Sequence, residues 1–262
     1  KKTREPIREG VKSVKTINKD GLFCVNDTVV PLYGPTVDDR TDTSSIKRYT
    51  YLNATCVNTY TCAFLTDAFM DSLANAGLYV VVGFSKEEIK NGTYKKWMEK
   101  HYNATYQHRA IAMVKPFNEL NFELLSNPGL VGANSVQEAL RKYPGVLNYY
   151  STEMHKINPN AIVFGVNADM PTPDQVKIAS DLDGWALNYY HGYDIRSFPR
   201  KWGVLCQQVG KRIPFFFNEY GIDSLKIVRC TRKNLVFLIS KASLKGRLIR
   251  WLNSGAAAWV NF

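Results

Sequence analysis

The amino-acid sequence predicts an α/β fold of the (β/α)8, or TIM-barrel, class. Short β-branched runs alternate with amphipathic helical stretches, which is the pattern of parallel strands joined by crossover helices. The length of 262 residues fits one such barrel. No internal repeat or low-complexity linker interrupts the alternation, so we expect one barrel domain over 29–262.

The segment before the alternation predicts a β-hairpin. Residues 15–30 form two extended runs on either side of Asn26-Asp27, a dipeptide typical of tight turns. We expect this hairpin to cap the bottom of the barrel. The N-terminal segment and hairpin then occupy 1–28.

The alternation resolves into eight strands and the helices between them. The predicted strands are 29–36, 56–64, 78–84, 111–117, 161–166, 184–190, 213–218 and 256–262. The predicted helices are 44–52, 67–75, 94–109, 135–156 with a break at Pro144-Gly145, 173–180, 199–209 and 234–253. No eighth helix follows the last strand, and we expect the natural domain to continue beyond Phe262.

The net charge of +11 raises the question of a nucleic-acid partner. Residues 1–19 carry seven Lys or Arg against two Glu, and the residues after Asp223 carry eight Lys or Arg and no acidic residue. The body between them is close to neutral, so we expect solvated chain ends and no nucleic-acid partner. No apolar stretch approaches the ~20 residues that span a bilayer, and we expect no membrane span.

Cysteines and sequons bear on metal binding and cellular compartment. The five cysteines lack zinc-ligand spacing: Cys24, Cys56, Cys62, Cys206 and Cys230. Four N-x-T sequons predict N-glycans: Asn26, Asn53, Asn91 and Asn103. They favour a secreted or cell-surface protein.

Two predicted strand ends carry the dipeptide Asn-Glu. Strand four ends in Asn118-Glu119 and strand seven in Asn218-Glu219. The C-terminal ends of barrel strands form the open face that carries chemistry, so the two glutamates should face each other across the mouth. A helix cap followed by a solvated carboxylate is the alternative for one such pair, and two pairs at these strands disfavour it.

Two facing carboxyl groups suit double displacement at a glycosidic bond. One carboxylate attacks the anomeric carbon and one carboxylic acid protonates the leaving oxygen, with the groups ~5–5.5 Å apart. We assign Glu219 as the nucleophile and Glu119 as the acid/base, which must hold a proton near working pH. Asn118 should donate to the sugar 2-hydroxyl. The chemistry needs neither a metal nor an organic cofactor.

The motifs 117–119 and 217–221 resemble those of the large retaining clan of glycoside hydrolases, clan A, and the likeness runs in order through nearly the whole chain. Within the clan, 166–169 and 186–190 are similar to signatures of the β-1,3-glucanosyltransferases that remodel fungal walls. A second likeness, to β-galactosidase and β-glucuronidase barrels, lies in 23–26 and in the stretch from Leu73 to Val82. These resemblances imply a β-linked glucan or another oligosaccharide or polysaccharide as substrate, cleaved by hydrolysis or transglycosylation.

The resemblance also implies a substrate-binding set. Tyr190 should hydrogen-bond the nucleophile, and Asn188 and Tyr220 should line the cleft. Trp259 should pack against the sugar ring whose anomeric carbon is attacked. His191, just beyond strand six, is a further candidate for substrate contact, and a loop histidine without a role is the alternative.

One position departs from the clan pattern. After Asn58-Thr59-Tyr60, where many clan members place an arginine that orients the nucleophile, this chain has Thr61. Loss of that cation removes a group that favours the ionised nucleophile. The alternative function is therefore a catalytically weak or inactive glycan-binding TIM barrel. Motifs of esterases, kinases and zinc hydrolases do not occur.

Overall fold

The computed structural model describes residues 5–8, 13–190, 197–220 and 257–258. The predicted helix over 234–253 lies outside these residues, as do most of the predicted last strand, His191 and Trp259.

A small antiparallel sheet opens the described chain, as the sequence predicts. Its strands are β1 (Lys15–Ile17), β2 (Phe23–Val25) and β3 (Thr28–Val29). Asn26 and Asp27 take left-handed φ angles of 48° and 62°, as a two-residue turn between right-twisted strands requires. β1, which pairs with β2, extends the predicted hairpin by a further strand.

The predicted first barrel strand, 29–36, is wrong at its start. The turn folds Thr28–Val29 back onto Cys24–Val25 of β2, so Val29 belongs to the hairpin. Pro31 and Pro35 lack the N–H that a regular ladder needs. What remains of the strand is a parallel bridge between Thr36 and Asn58.

Parallel strands follow in chain order. They are β4 (Cys56–Asn58), β5 (Tyr79–Phe84), β6 (Ile111–Pro116), β7 (Phe164–Asn167), β8 (Gly184–Tyr189), β9 (Phe215–Tyr220) and β10 (Ala257–Ala258). One parallel sheet has the order β4-β5-β6 and another the order β10-β9-β8-β7. A bridge between Val114 and Val163 joins them.

This succession matches the strand order of a (β/α)8 barrel, from the Thr36 bridge to β10. Within the described residues no pairing joins β10 back to the Thr36 segment, so the strands there form an open parallel array. The predicted order and direction of the strands are confirmed, and barrel closure stays a prediction. The division at residue 28 also stays a prediction.

Helices connect the strands and cover their outer side. They are α1 (Thr43–Tyr51), α2 (Asp67–Asn75), α3 (Lys86–Lys90), α4 (Thr93–His101), α5 (Leu120–Glu123), α6 (Val136–Ile157), α7 (Pro173–Ile178) and α8 (Phe198–Val209), with a 3-10 turn at Pro128–Val131. Side-chain caps begin several of them: Asp42, Thr66, Ser85, Ser135 and Thr172.

Two helix predictions are wrong in detail. The predicted helix over 94–109 ends at His101, and the stretch before it, with two lysines and two glutamates, forms the separate helix α3. The predicted break at Pro144-Gly145 does not occur, since α6 runs through it. Pro144 removes one backbone hydrogen bond, and burial of flanking residues such as Tyr143 and Leu147 holds the helix together across the gap.

The core has two layers. A cluster inside the strand array contains side chains from alternate strand positions: Phe23, Leu32, Cys56, Val81, Met113, Phe164, Val166, Ala186 and Phe216 among them. A larger cluster lies between strands and helices. Phe23 of the hairpin belongs to the inner cluster, so the hairpin fills the lower end of the array. No helix of the described residues is long and apolar enough to cross a membrane.

A charged cluster ties the end of α6 to the start of β8. His155 Nδ1 lies 2.8 Å from Asp181 Oδ2, and His155 Nε2 lies 3.4 Å from Asp183 Oδ2. Hydrogen bonding to Asp183 is the largest cause that raises the pKa of His155 to about 9, with Asp181 adding to it and burial opposing it. Both carboxylates therefore act on one protonated imidazole.

His155→Gln tests this cluster through the free energy of unfolding. A folded pKa above the unfolded value stabilises the native state fully below about pH 6.5, and the contribution disappears as pH rises through about 9. Denaturant titrations should show the parent about 2 kcal/mol more stable than the variant at pH 6, and the two should converge by about pH 10. A stability gap that stays constant across this range would contradict the assignment.

Candidate active site

The two Asn-Glu dipeptides lie at the C-terminal ends of β6 and β9. After β6, Phe117 and Glu119 have left-handed φ angles of 62° and 49°. Non-glycine residues take this conformation at a cost, and such residues concentrate at functional sites. The strained turn is what brings Glu119 round to the mouth of the strand array.

A β-bulge presents the second dipeptide. Leu187 of β8 pairs with Phe217, but the next residue, Asn188, pairs with Glu219, which leaves Asn218 as an extra residue on β9. Alternation along a regular strand would send neighbouring side chains to opposite faces. The bulge lets both Asn218 and Glu219 contact the Asn188 side chain.

Three neutral donors hold the Glu219 carboxylate, which is 9% exposed. Its Oε1 accepts from Asn188 Nδ2 at 2.9 Å and from the Tyr60 hydroxyl, and its Oε2 accepts from the Tyr190 hydroxyl. The predicted contact between Tyr190 and Glu219 is thus present in the structure. No Lys or Arg among the described residues forms an ion pair with Glu219.

Tyr60 is a site residue that sequence reasoning missed. It follows β4 by two residues, so its position at a strand end was the signal that could have found it. Burial and the charge of Glu219 raise the pKa of the Tyr60 hydroxyl, and the same causes raise the pKa of Tyr190. Both phenols therefore remain protonated donors over the physiological pH range.

Glu119 has a different environment. Burial raises the pKa of Glu119, the charges of Glu219 and Asp169 raise it further, and the Asn188 amide opposes the rise. Glu119 therefore keeps its proton to a higher pH than an ordinary glutamate does. Asn188, which is 2% exposed, interacts with both carboxyl groups.

Asn118 lies between the two strand ends. Its Oδ1 accepts from Asn218 Nδ2 at 3.3 Å and from Asn188 Nδ2 at 3.5 Å. With its oxygen turned toward these amides, its Nδ2 makes no hydrogen bond to the described residues. That donor matches the one predicted for a sugar hydroxyl.

Lys115 lies one layer below the carboxylates and is 1% exposed. Its Nζ donates to Asn58 Oδ1 and Asn218 Oδ1 and lies 5.8 Å from the centre of the Tyr60 ring. Burial lowers the pKa of Lys115 to about 7, and the charge of Glu219 opposes that fall. Sequence reasoning gave this residue no role.

Thr61, at the position where the clan pattern has arginine, takes no part in the carboxylate cluster. Its hydroxyl donates to Glu88 Oε1 at 2.5 Å, and Glu88 also accepts from the Cys62 backbone N–H at 3.0 Å. Ser85 and Glu88 form a capping box at the start of α3. Thr61 therefore anchors the loop after β4 to α3, and the preceding Tyr60 is left to reach Glu219.

Three predicted site residues have no described side chain. Tyr220 ends β9, where its backbone pairs with Tyr189, and its side chain lies outside the described part. His191 and Trp259 lie outside it altogether. Their proposed contacts with substrate stay predictions. The described residues also contain no group of three or more His, Cys, Asp or Glu that could hold a metal ion.

Comparisons with known proteins bear on the fold. No family model matches the chain, and no curated protein matches its sequence. Solved structures do match. A calcium-binding mutant of Bacteroides uniformis β-glucuronidase 2 has a TM-score of 0.66 at 14% identity, over 95% of this chain and 33% of that one.

Two other solved structures are similar over 95% of this chain. Ruminococcus gnavus β-glucuronidase in complex with C6-substituted uronic isofagomine has a TM-score of 0.58 at 16% identity, over 46% of its length. A Bacteroides fragilis protein described as a β-galactosidase has a TM-score of 0.62 at 14% identity, over 38% of its length.

These neighbours are TIM-barrel glycoside hydrolases, and at such identities the likeness shows a shared fold. The chain spans about a third to a half of the length of the structures it matches. The fold agrees with the second resemblance seen in the sequence, to β-galactosidase and β-glucuronidase barrels. The likeness to β-1,3-glucanosyltransferases stays a prediction.

Gly83→Ala tests the close packing of the Thr59–Tyr60 backbone against β5. A Cβ at Gly83 would lie 2.2 Å from the Thr59 carbonyl oxygen and 2.9 Å from Tyr60 Cα, both backbone atoms of the segment that carries the phenol. Overpacking of this kind should lower the free energy of unfolding by about 1–3 kcal/mol in denaturant titrations.

Gly203→Ala is the matched control, because Gly203 is exposed in α8 and, apart from its own helix backbone and chain neighbours, no described atom lies within 4 Å of the added methyl group. It should stabilise the protein by about 0.5–1 kcal/mol. Equal effects of the two substitutions would show that the close approach at Gly83 has no energetic consequence.

Proposed function

We propose that this chain is the catalytic barrel of a retaining β-glycoside hydrolase or transglycosylase, with Glu219 as nucleophile and Glu119 as acid/base. The observation that carries the proposal is the asymmetry of the two carboxyl groups. Glu219 accepts hydrogen bonds from three neutral donors, whereas burial and neighbouring charges raise the pKa of Glu119. The hydrogen bonds to Glu219 suit an anionic nucleophile, and the surroundings of Glu119 suit a proton-donating acid.

The hydrogen bonds suggest which oxygen attacks. Oε1 of Glu219 accepts from two donors, and one of them, Asn188, is almost fully buried. Among the described residues Oε2 accepts from Tyr190 alone, which is 39% exposed. We therefore assign Oε2 as the atom that bonds to the anomeric carbon, while Oε1 stays anchored and sets the orientation of the carboxylate.

Glu119 then serves as acid and base in turn. In the first step its proton passes to the leaving oxygen as the bond from Glu219 to the sugar forms. That bond removes the negative charge of Glu219, which is one of the causes that raise the pKa of Glu119. The pKa of Glu119 is then lower, so its carboxylate remains ionised until it takes a proton from the incoming water or sugar hydroxyl.

A β-linked oligosaccharide is the substrate class that this mechanism fits. The matched solved structures are β-glucuronidases and a protein described as a β-galactosidase, which supports a β-glycoside but does not select the sugar. Hydrolysis and transglycosylation share the glycosyl-enzyme and differ in the acceptor. Asn118 Nδ2, without a partner among the described residues, is the donor proposed for the 2-hydroxyl.

A glycan-binding barrel without turnover is the second candidate. It is favoured by one observation, that Thr61 contacts Glu88 and leaves Glu219 without a cation from the loop after β4. Such a protein would bind an oligosaccharide in the same mouth. Retention of both carboxyl groups with their unequal surroundings favours the enzyme.

Glu219→Gln should abolish turnover. The parent and the variant are incubated with a β-1,3-glucan oligosaccharide and a panel of aryl β-glycosides, and products are followed by mass spectrometry. Loss of the nucleophile should reduce the rate roughly 10⁴-fold or more. Longer products would indicate transglycosylation. Oligosaccharide binding without any turnover by the parent would favour the glycan-binding barrel.

Glu119→Gln separates the two roles through pH dependence. In the parent, kcat/KM should fall as pH rises through the raised pKa of Glu119, since the acid must be protonated. With aryl glycosides whose leaving groups need no acid, kcat/KM of the variant should no longer fall as pH rises. Azide should restore turnover by attacking the glycosyl-enzyme. Glu123→Gln is the matched control, because Glu123 ends α5, the helix directly after Glu119, and forms a partly exposed ion pair with Lys86 of α3. A basic limb that survives in Glu119→Gln would assign the acid to another residue.

Secretion or display at the cell surface, with N-glycans, is also proposed. Three sequon asparagines are exposed: Asn26, Asn53 and Asn91. The fourth, Asn103, is half-buried, and its Nδ2 donates to the Glu99 carbonyl at 2.6 Å. The exposed positions are therefore the ones at which a glycan meets least obstruction.

Peptide mass spectrometry of the protein from its natural source tests this proposal. Enzymatic deglycosylation should convert glycosylated Asn91 to Asp, detected as a mass increase in its peptide. Asn160, which is exposed but outside any sequon, should stay unchanged. Unmodified asparagine at every sequon would count against passage through the glycosylating secretory pathway.

A further inference from the structure

Lys115 is a buried cation beneath the candidate active site. Polar side chains surround it on the side of the carboxyl groups, and apolar side chains lie on the opposite side. It lies on β6 two residues above Met113 of the apolar inner cluster and is 1% exposed. A buried ammonium group carries a large desolvation cost unless neighbouring groups accept its hydrogen bonds. A lysine in this layer is therefore expected only where its charge has partners.

One set of hydrogen bonds leads from Lys115 to Glu219 through two asparagines. Lys115 Nζ donates to Asn218 Oδ1, Asn218 Nδ2 donates to Asn188 Oδ1 at 2.7 Å, and Asn188 Nδ2 donates to Glu219 Oε1 at 2.9 Å. Every amide points its oxygen toward the cation and its nitrogen toward the carboxylate. Hydrogen bonds aligned head to tail in this way polarise one another.

A second set reaches the same oxygen from the other side. Lys115 Nζ donates to Asn58 Oδ1, and Asn58 Nδ2 donates to Thr36 Oγ1 at 3.3 Å. Thr36 hydrogen-bonds the Tyr60 hydroxyl, which donates to Glu219 Oε1. The two chains start at one ammonium group and converge on one carboxylate oxygen.

We infer that Lys115 is a positioning residue that orients the Glu219 carboxylate through these two donor chains. The catalytic part of this inference rests on the proposed function. Lys115 makes no contact with substrate in this scheme. Its charge fixes which way the Asn218 and Asn58 amides point, and their orientation decides whether Asn188 and Tyr60 donate to Oε1.

The charged and titratable groups near Lys115 are few. Glu219 faces it from β9, the Tyr60 ring lies beside it in the segment after β4, and Tyr190 and Glu119 lie beyond Glu219. Burial lowers the pKa of Lys115 to about 7, and among the described residues the charge of Glu219 opposes this fall. The coupling is reciprocal, so the cation must favour the carboxylate as much as the carboxylate favours the cation.

Lys115→Met tests the inference by kinetics, since methionine has a similar shape without charge or donor. The acidic limb of the pH profile of kcat/KM should move to higher pH by about one unit. At the optimum, kcat should fall about 10- to 100-fold with KM little changed, because an orienting group is lost and a substrate contact is not. Unchanged limbs in a folded variant would overturn the inference.

Lys15→Met is the matched control. Lys15 is, among the described residues, the second buried lysine whose pKa is lowered to about 7 by burial, and it lies on β1 with its Nζ 3.5 Å from the His108 carbonyl oxygen. It has no hydrogen-bonded path to Glu219 among the described residues. Its substitution should leave the pH profile in place. If Lys115→Met and Lys15→Met behave alike, Lys115 has a merely structural role.

A second measurement needs no activity. Lysine labelled with ¹³C at the ε-carbon reports the ionisation of Lys115 and Lys15 by NMR. Lys15 is assigned by the absence of its signal in Lys15→Met, and Lys115 by the absence of its signal in Lys115→Met or, where that variant does not fold, in Lys115→Arg. Glu219→Gln should lower the titration midpoint of Lys115 and leave that of Lys15 unchanged. An unchanged Lys115 midpoint would overturn the inference even if Lys115→Met fails to fold.

The two arms separate the inference from the proposed function. If the parent turns over no glycoside but the Lys115 midpoint falls in Glu219→Gln, the proposed function fails and the coupling stands. If the parent is active and the midpoint does not move, the function stands and the inference fails.

Discussion

The placement of the Glu219 carboxylate is the constraint on which the rest of the site depends. An almost fully buried carboxylate must have donors for its oxygens, because the loss of hydration is otherwise too costly. The chain meets this demand with donors from two strand ends, Tyr60 after β4 and both Asn188 and Tyr190 at the end of β8, together with the β9 bulge that turns Glu219 toward them. These elements must all be in register for the three contacts to form together.

That demand explains the layering of the strand array. Phe23, Met113 and Phe216 fill its lower part with apolar side chains, and the hairpin closes that end. Two residues further along the strands the inward positions become polar, with Lys115 above Met113 and Asn218 above Phe216. A polar layer inside a protein is stable only when it is nearly saturated with hydrogen bonds. Asparagine suits this layer because one side chain both accepts from the cation and donates toward the anion.

The sequence predicted the parts of the fold that depend on local pattern. Strand order, the Asn26-Asp27 turn and the two Asn-Glu dipeptides at strand ends could all be predicted from a few neighbouring residues. Tyr60 and Lys115 could not, since their partners lie 159 and 103 residues away along the chain. Predictions from local pattern also placed the ends of some strands and helices at the wrong residues. β4 is three residues long where nine were predicted, because the chain turns after Asn58 and the Thr61 hydroxyl donates a hydrogen bond to Glu88.

The two dipeptides are identical, and nothing within Asn118-Glu119 or Asn218-Glu219 distinguishes an acid from a nucleophile. The difference comes from what surrounds each carboxyl group. Glu219 has three donors and, through the Asn218 and Asn58 amides, a buried ammonium group. Glu119 lies in a strained turn, and burial and the charge of Glu219 disfavour its ionisation. Each carboxyl group helps to determine the other's state, because the anion at Glu219 is itself a cause of the proton at Glu119. A change that neutralises Glu219 therefore weakens the acid as well as the nucleophile, so the proposed roles stand or fall together.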